Sequence, residues 1–309
     1  MKMAVLLWLL LHAMVCPAGW KVSPGDNPDG PGKAMNVRDG DGLVARFILG
    51  EGQIKPYLHV FSENGERLTN AGTDKDGKST GAFPHHRGIF IGWKVESELG
   101  TDDLWHMTRG CKMEVSEVIL PAVGDTGVKD SARIVATVLW KSAKSTDGSD
   151  LLITERRDLT FSRPDRRIQI DAIFTLVPAR DLRLAGDLQH SGVHFRASNE
   201  VHARQSETSY LNSPEGKTKG NDLKWCRLSF PIGTNAYSAL QLNHPENPVE
   251  ELSTRKYGRF GYFFKKSLTQ GKPLTLKYRF IIGQELAPVS GRSETLAREA
   301  DAAYAAFVK

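Results

Sequence analysis

Alternation of apolar and polar positions runs through much of this chain. Between Arg167 and Val177, every second position is apolar through Ile168, Ile170, Ala172, Phe174 and Leu176. Leu274, Leu276, Tyr278, Phe280 and Ile282 do the same between Pro273 and Gly283. A period of two puts each set on one face of a strand. Arg133 to Lys141 is apolar on both parities, through Ile134, Ala136, Val138 and Trp140 on one and Val135 and Leu139 on the other. That pattern predicts a strand covered on both faces. Leu151 to Phe161 meets the Arg167 segment through Ser162-Arg163-Pro164-Asp165-Arg166, whose Pro-Asp chemistry predicts an antiparallel hairpin. Only at the end does helical spacing take over. Leu296, Ala300, Ala303 and Phe307 predict a helix over residues 292–308, with Ser293 as its cap. Many short strands with turn signals between them and one terminal helix predict an all-β fold. The expected form is a large antiparallel β-sandwich filling residues 20–309 as one domain.

The first residues break this pattern. Met1-Lys2-Met3 precedes Ala4-Val5-Leu6-Leu7-Trp8-Leu9-Leu10-Leu11, and small residues follow at Ala18-Gly19. This reads as a secretory signal peptide over residues 1–19. It is shorter than the roughly 18 or more apolar residues of a membrane span. The mature protein is therefore expected in the periplasm or outside the cell, without integral membrane association. Cys16, after Ala13-Met14-Val15, leaves a lipoprotein anchor open. Beyond it only Cys111 and Cys226 remain, enough for one disulfide or two buried thiols but not for a disulfide framework. The formal net charge of +5 is spread among acids rather than gathered into a stripe, and with export this argues against nucleic acid.

Candidate chemistry gathers in a few places. In Phe83-Pro84-His85-His86-Arg87-Gly88, two imidazoles and a guanidinium stand where a Gly-rich loop enters an apolar segment. Such groups need water, a partner or a ligand. In Gln189-His190-Ser191-Gly192-Val193-His194-Phe195-Arg196, alternation predicts His190, Gly192, His194 and Arg196 on one face, with the glycine leaving the backbone open to approach. Shared metal binding, contact with a polar substrate and solvated structural roles all remain open for that face. His244-Pro245-Glu246-Asn247-Pro248 forms a stiff loop presenting an imidazole and an amide, and Arg255 follows shortly after. Glu155 is either an acid or base facing the histidines or half of a cross-strand ion pair. Trp93, Trp105, Trp140 and Trp225 are either packing or a sugar-stacking platform. Asp39-Gly40-Asp41-Gly42 and Asp74-Lys75-Asp76-Gly77 lack the spaced glutamate of a calcium loop and read as turns. No GxSxG, phosphate-binding loop, dinucleotide fingerprint or HExxH is present.

Taken in order, Pro84-His85-His86-Arg87-Gly88, Asp103-Leu104-Trp105, Glu155-Arg156-Arg157, the His190–Arg196 segment, His244-Pro245-Glu246-Asn247-Pro248, Arg255-Lys256-Tyr257-Gly258 and Tyr278-Arg279 resemble an uncharacterised family of exported bacterial proteins. That family is commonly labelled methane oxygenase PmoA, and the resemblance runs from about residue 45 to 285. The membrane subunit of that name needs several spanning helices, which this sequence does not offer. The family usually has a Trp-His pair before the Arg-x-Tyr-Gly segment, where this chain has Glu250-Glu251-Leu252-Ser253-Thr254. The resemblance implies a carbohydrate-related role and a supersandwich akin to galactose-mutarotase-like domains, with sugar on a concave sheet face. The expected function is action on carbohydrate, as a hydrolase, lyase or epimerase, or else that of a non-catalytic exported sugar-binding or structural β-sandwich. His85, His86, His194, His244 and Glu155 are the expected acid-base groups. Arg87, His190, Arg196, Asn247 and Arg255 are the expected contacts to a carbohydrate or other polar small molecule. No metal ligand is assigned and no cofactor is named.

Overall fold

The computed structural model describes residues 19–52, 54–74, 76–121, 130–144, 150–285 and 292–309. The expected signal peptide lies outside them except for Gly19, and Cys16 lies outside them too. Among the described residues, no helix is long and apolar enough to cross a membrane.

Three antiparallel sheets form the body. The largest has nine strands in the order Trp20–Asp26, Lys33–Asp39, Gly42–Ile48, Tyr57–Val60, Ile89–Gly92, Gly192–Arg196, Arg259–Phe263, Glu250–Arg255 and Lys219–Gly220. The second has eight, in the order Ser209–Ser213, Trp225–Ile232, Asn235–Asn243, Leu274–Gln284, Ile168–Pro178, Leu151–Ser162, Ser131–Lys141 and Lys112–Ile119. The predicted hairpin is here, with Phe161 opposite Ile170 and Glu155 opposite Leu176. A smaller sheet runs Lys266–Leu268, Leu182–Ala185, Lys94–Ser97 and Gly100–Asp103. It matters here because its last strand delivers the chain to Trp105 and His106.

The two large sheets pack face to face. Val37, Phe47, Ile91, Phe195 and Phe260 of the first share one apolar core with Ile134, Leu159, Ile170, Phe174 and Phe280 of the second. Each such side chain contributes about 1.5–3 kcal/mol relative to exposure. The fold is thus a large antiparallel β-sandwich. The terminal helix, Arg292–Phe307, lies on the eight-stranded sheet, where Ala300 packs with Trp225, Leu240 and Leu242. Ser293 falls inside its first turn rather than at its cap. Cys111 and Cys226 are both free and buried, so the two-thiol alternative is the one found.

The middle of the nine-stranded sheet is buried on both faces. Gly192–Arg196 and Arg259–Phe263 are buried at every residue. Val193, Phe195, Phe260 and Tyr262 point into the sandwich. On the opposite face Phe90 joins Ala34, Ile48, Ile54, Tyr57 and Trp105 in a second apolar cluster beneath the loops. His194 stands beside Phe90 on that outer face, and the loops above it make the site.

Inside the sandwich one carboxyl has no cation. Glu250 is fully buried and accepts the Tyr278 hydroxyl, while its second oxygen has no partner. Burial outweighs that hydrogen bond and pushes its pKa up from 4.5 to about 8. The proton is held more tightly in the folded chain than in the unfolded one. The stability this gives is therefore fully present below about pH 4.5 and is lost as pH rises toward about 8, with no further loss above that. Glu250→Gln is expected to flatten this slope and to raise the melting temperature at pH 9 by on the order of 5 °C. Melting curves from pH 5 to 9 check it, and parallel profiles for both proteins would count against it.

Candidate functional site

The Phe83–Gly88 loop crosses the nine-stranded sheet where only glycine fits at its end. Gly88 has φ +53°, and a Cβ there would lie 2.2 Å from the Leu58 carbonyl oxygen. Its N–H donates to Asn70 O at 2.9 Å, its carbonyl accepts Arg196 N–H at 2.8 Å, and the Asn70 side chain donates to His86 O at 2.7 Å. So pinned, the loop aims His85 and His86 across the sheet toward Trp105.

A continuous chain of rings results. His86 and His85 have centroids 4.1 Å apart, His85 and His106 4.5 Å, and His106 and His190 4.9 Å. Below them, Trp105 lies 5.4 Å from His86 and 5.0 Å from His194. To one side, Tyr257 stacks on Phe83 at 4.5 Å and lies nearly parallel to His86 at 6.3 Å. His194, His86 and Trp105 are buried, His85 and Tyr257 half-buried, and Phe83 is 42% exposed.

The two rim histidines are held the same way. Asp103 Oδ1 accepts the backbone N–H groups of Trp105 at 3.2 Å and His106 at 3.0 Å, and His106 Nδ1–H donates to Oδ2 at 2.8 Å. Asp187 Oδ1 accepts Gln189 N–H at 2.7 Å and His190 N–H at 3.1 Å, and His190 Nδ1–H donates to the same carboxylate at 3.0 Å. Asp103-Leu104-Trp105-His106 and Asp187-Leu188-Gln189-His190 are thus two copies of one local device. In each, the carboxylate fixes the Nδ1–H tautomer and leaves Nε2 as the outward atom. Burial raises the Asp103 pKa, but the hydrogen bonds and charge of His106 outweigh it and hold the carboxyl at about 2.

The deeper imidazoles are neutral. His194 Nε2–H donates to Ser191 O at 2.8 Å, and its Nδ1 accepts Arg259 Nη1–H at 2.9 Å. Burial and then the Arg259 charge push its pKa well below the usual histidine range. Burial and then His85 do the same to His86. Burial, then His106 and Lys55, bring His85 to about 3. Lys55 is buried beneath them, donating to Trp105 O and lying 4.6 Å from the Phe90 ring centroid and 4.9 Å from that of Trp105. Gly261 faces His194 across the strand pair. A Cβ there would meet the His194 ring at 2.7 Å, so the glycine makes the imidazole's space.

The sequence-predicted residues divide into two groups. His85, His86, Arg87, His190 and His194 come together, with Arg196 and Arg255 beside them. His190 sits in the turn before the strand Gly192–Arg196 rather than on its face. Gly192 is open not to a ligand but to the next strand, since a Cβ there would lie 2.1 Å from Tyr262 O. Arg196 donates through Nη1 and Nη2 to Ala197 O, Tyr257 O, Ala82 O and Asn199 Oδ1, which makes it a brace between two loops, while its Nε has no partner. Arg255 donates to Thr254 O, and its charge contributes to lowering the His194 pKa. Glu155, His244 and Asn247 stand elsewhere. Glu155 is buried between the large sheets, gripped by Arg157 and by Trp140 Nε1 at 2.7 Å. His244 packs on Phe307 of the terminal helix at 5.3 Å. Asn247 bonds Asn243 Oδ1 and the Lys277 backbone, holding its own loop. His106, Asp103, Asp187, Lys55 and Arg259 were missed. The repeated Asp-Leu-x-His spacing was the available signal for the first three. Shared metal binding by His190 and His194 is closed off, because both nitrogens of His194 are engaged. Among the described residues, no group of three or more His, Cys, Asp or Glu is arranged to hold a metal ion.

The profile of a family of unknown function, DUF6807, matches residues 34–296. No curated protein matches the chain. Among solved structures, a galactose mutarotase-like protein from Clostridium acetobutylicum aligns over 86% of this chain and 99% of its own at 7% identity, with TM-score 0.46. A galactose mutarotase-like protein from Lactobacillus casei aligns over 85% and 100% at 10% identity, with TM-score 0.41. The GH36 α-galactosidase AgaA from Geobacillus stearothermophilus aligns over 85% of this chain and 41% of its own at 10% identity, with TM-score 0.38.

The sequence pattern alone suggests that His194→Ala would leave folding nearly unchanged. With its ring fully buried and bonded to Arg259, that substitution is instead expected to cost about 2–4 kcal/mol, from the cavity and the orphaned guanidinium. His106, whose side chain is 27% exposed, should cost less than about 1 kcal/mol on truncation. Denaturant unfolding of both alanine variants checks the contrast, and equal midpoints would contradict it.

Proposed function

The chain belongs to the family of unknown function DUF6807, and we propose that it is an exported protein that acts on carbohydrate through the His85–His106–His190 cluster. The observation that carries this is the pair of Asp–His devices at the rim, with ring centroids 4.9 Å apart and each Nε2 left available. One such imidazole can take a proton from a bound substrate while the other returns one. Two-carboxylate glycoside hydrolysis needs two free carboxyl groups, and both rim carboxylates are engaged by imidazoles. Within the range of hydrolase, lyase and epimerase, the arrangement therefore favours the proton transfers of a lyase or epimerase. The exposed Phe83 face, stacked on Tyr257, gives an apolar sugar ring face somewhere to rest beside these polar groups. Export is supported by the apolar run Ala4–Leu11.

A non-catalytic sugar-binding sandwich is the competing function. What favours it is the burial that holds His86 and His194 neutral, since neither can then exchange protons near pH 7. Thermal-shift screening of the mature protein against oligosaccharides, with product analysis of each hit, separates the two. Turnover is expected, and His106→Ala and His190→Ala should each lower it about 100-fold or more with the melting temperature kept. Turnover untouched in both variants would rule out the cluster as the catalytic centre. Binding without any product would establish the sugar-binding function instead.

A further inference from the structure

Among the described residues, no carboxylate pairs with the buried guanidiniums around the histidines. Arg259 is fully buried, yet its donors go only to His194 Nδ1, the Ser253 hydroxyl at 3.1 Å and the Tyr257 hydroxyl at 3.1 Å. Arg196, also fully buried, bonds only carbonyls and an amide. Arg87 is 7% exposed, and its buried Nε has no partner at all. Among the described residues, the carboxylates at the cluster, Asp103 and Asp187, are taken by His106 and His190. Buried charge is ordinarily paired, because leaving water costs several kcal/mol per ion. The excess is felt locally: after burial, the Arg87 charge is the largest cause holding the Lys55 pKa well below the lysine range.

Two of the unsatisfied atoms are donors by chemistry, on Arg87 and Trp105. Trp93, Trp140 and Trp225 each donate their indole N–H to an oxygen, whereas the buried Trp105 Nε1 donates to nothing. Arg87 Nε, both ring nitrogens of His86 and His85 Nε2 are likewise buried without partners. Indole and guanidinium nitrogens can only donate. Among the described residues, Arg87 and Trp105 thus lack an acceptor where negative charge is also missing, and one kind of group supplies both.

Resting on the proposed function, we infer that the ligand bears an oxyanion, a carboxylate or sulfate group on a sugar, which takes up the free donors of Arg87, His86 and Trp105. Such a group would make charge-assisted hydrogen bonds, the strong kind, and would stand as the missing counter-ion.

Calorimetric titration of the mature protein at low salt with D-glucuronate, D-galacturonate, glucose 6-sulfate, the neutral parent sugars and inorganic sulfate tests this. At least one acidic sugar is expected to bind tenfold or more tightly than its neutral parent, with the preference shrinking as salt rises. Arg87→Gln should abolish the preference and Arg87→Lys should keep part of it, with ligand-free melting curves confirming that both fold. Equal affinity for acidic and neutral sugars would overturn the oxyanion and leave the sugar function standing. Inorganic sulfate binding as tightly as any acidic sugar would confirm the oxyanion and remove the sugar. No binding by any of these would overturn the inference.

Discussion

A guanidinium bonded to a neutral imidazole, with no carboxylate paired to it among the described residues, organises this molecule's outer sheet face. Arg259 and His194 lie on neighbouring strands, both fully buried, 2.9 Å apart through Nη1 and Nδ1. Because Arg259 cannot give up its proton, His194 must accept there, so its other nitrogen must carry hydrogen and finds Ser191 O. Ser191 Oγ–H in turn donates to Asp187 O at 2.7 Å. One buried contact thereby reaches the turn that holds His190. Arg259 Nε also reaches the Tyr257 hydroxyl, while Arg196 lies 4.9 Å from the ring's centroid. The aromatic edge of the site therefore hangs on the same pair of arginines.

Stability and function pull apart on this face. The opposite face of the same strands is apolar and packs into the sandwich, as a sheet interior should. Here imidazoles, guanidiniums and a lysine side chain are buried instead, some with polar atoms left unpaired. A fold that needed only stability would place aliphatic side chains there. Unpaired buried polar atoms cluster on three consecutive residues, His85, His86 and Arg87, plus the adjacent Trp105, the kind of concentration that calls for an explanation beyond packing. By contrast Glu155, equally buried, is matched at both oxygens by Arg157 and Trp140 and belongs to the scaffold.

Much of the fold was legible because strand alternation is a local property. The predicted hairpin and the terminal helix each depend on side chains a few positions apart, whereas the strand at Arg133–Lys141, expected to be covered on both faces, buries Ile134, Ala136, Val138 and Trp140 in the core and leaves Arg133, Thr137, Leu139 and Lys141 half-buried on the other face. The site was legible only where it too was local. The His85-His86-Arg87 triplet stands out by composition. The two Asp-Leu-x-His copies could have been found by spacing, since each carboxylate closes on a histidine three residues on. Glu155 misled because alternation tells which side of a strand a residue takes but not which layer that side faces, and His244 because a stiff loop does not show which element it packs against. Glu155 faces inward between sheets, and His244 faces the helix.

The sequence by itself determined the strands, the turn glycines, the helix and the reservoir of imidazoles and guanidiniums, because backbone preference and side-chain period act over a few residues. Only the tertiary structure decided which of them meet. Bringing residues 85, 106, 190, 194 and 259 to one place requires the antiparallel neighbours Ile89–Gly92, Gly192–Arg196 and Arg259–Phe263, together with the small sheet that ends at Asp103. Their register sets His194 against Phe90 and Gly261. Charge imbalance is also a tertiary property. A chain whose acids nearly match its bases overall can still gather buried cations without carboxylates, because folding sorts charges by position rather than by number.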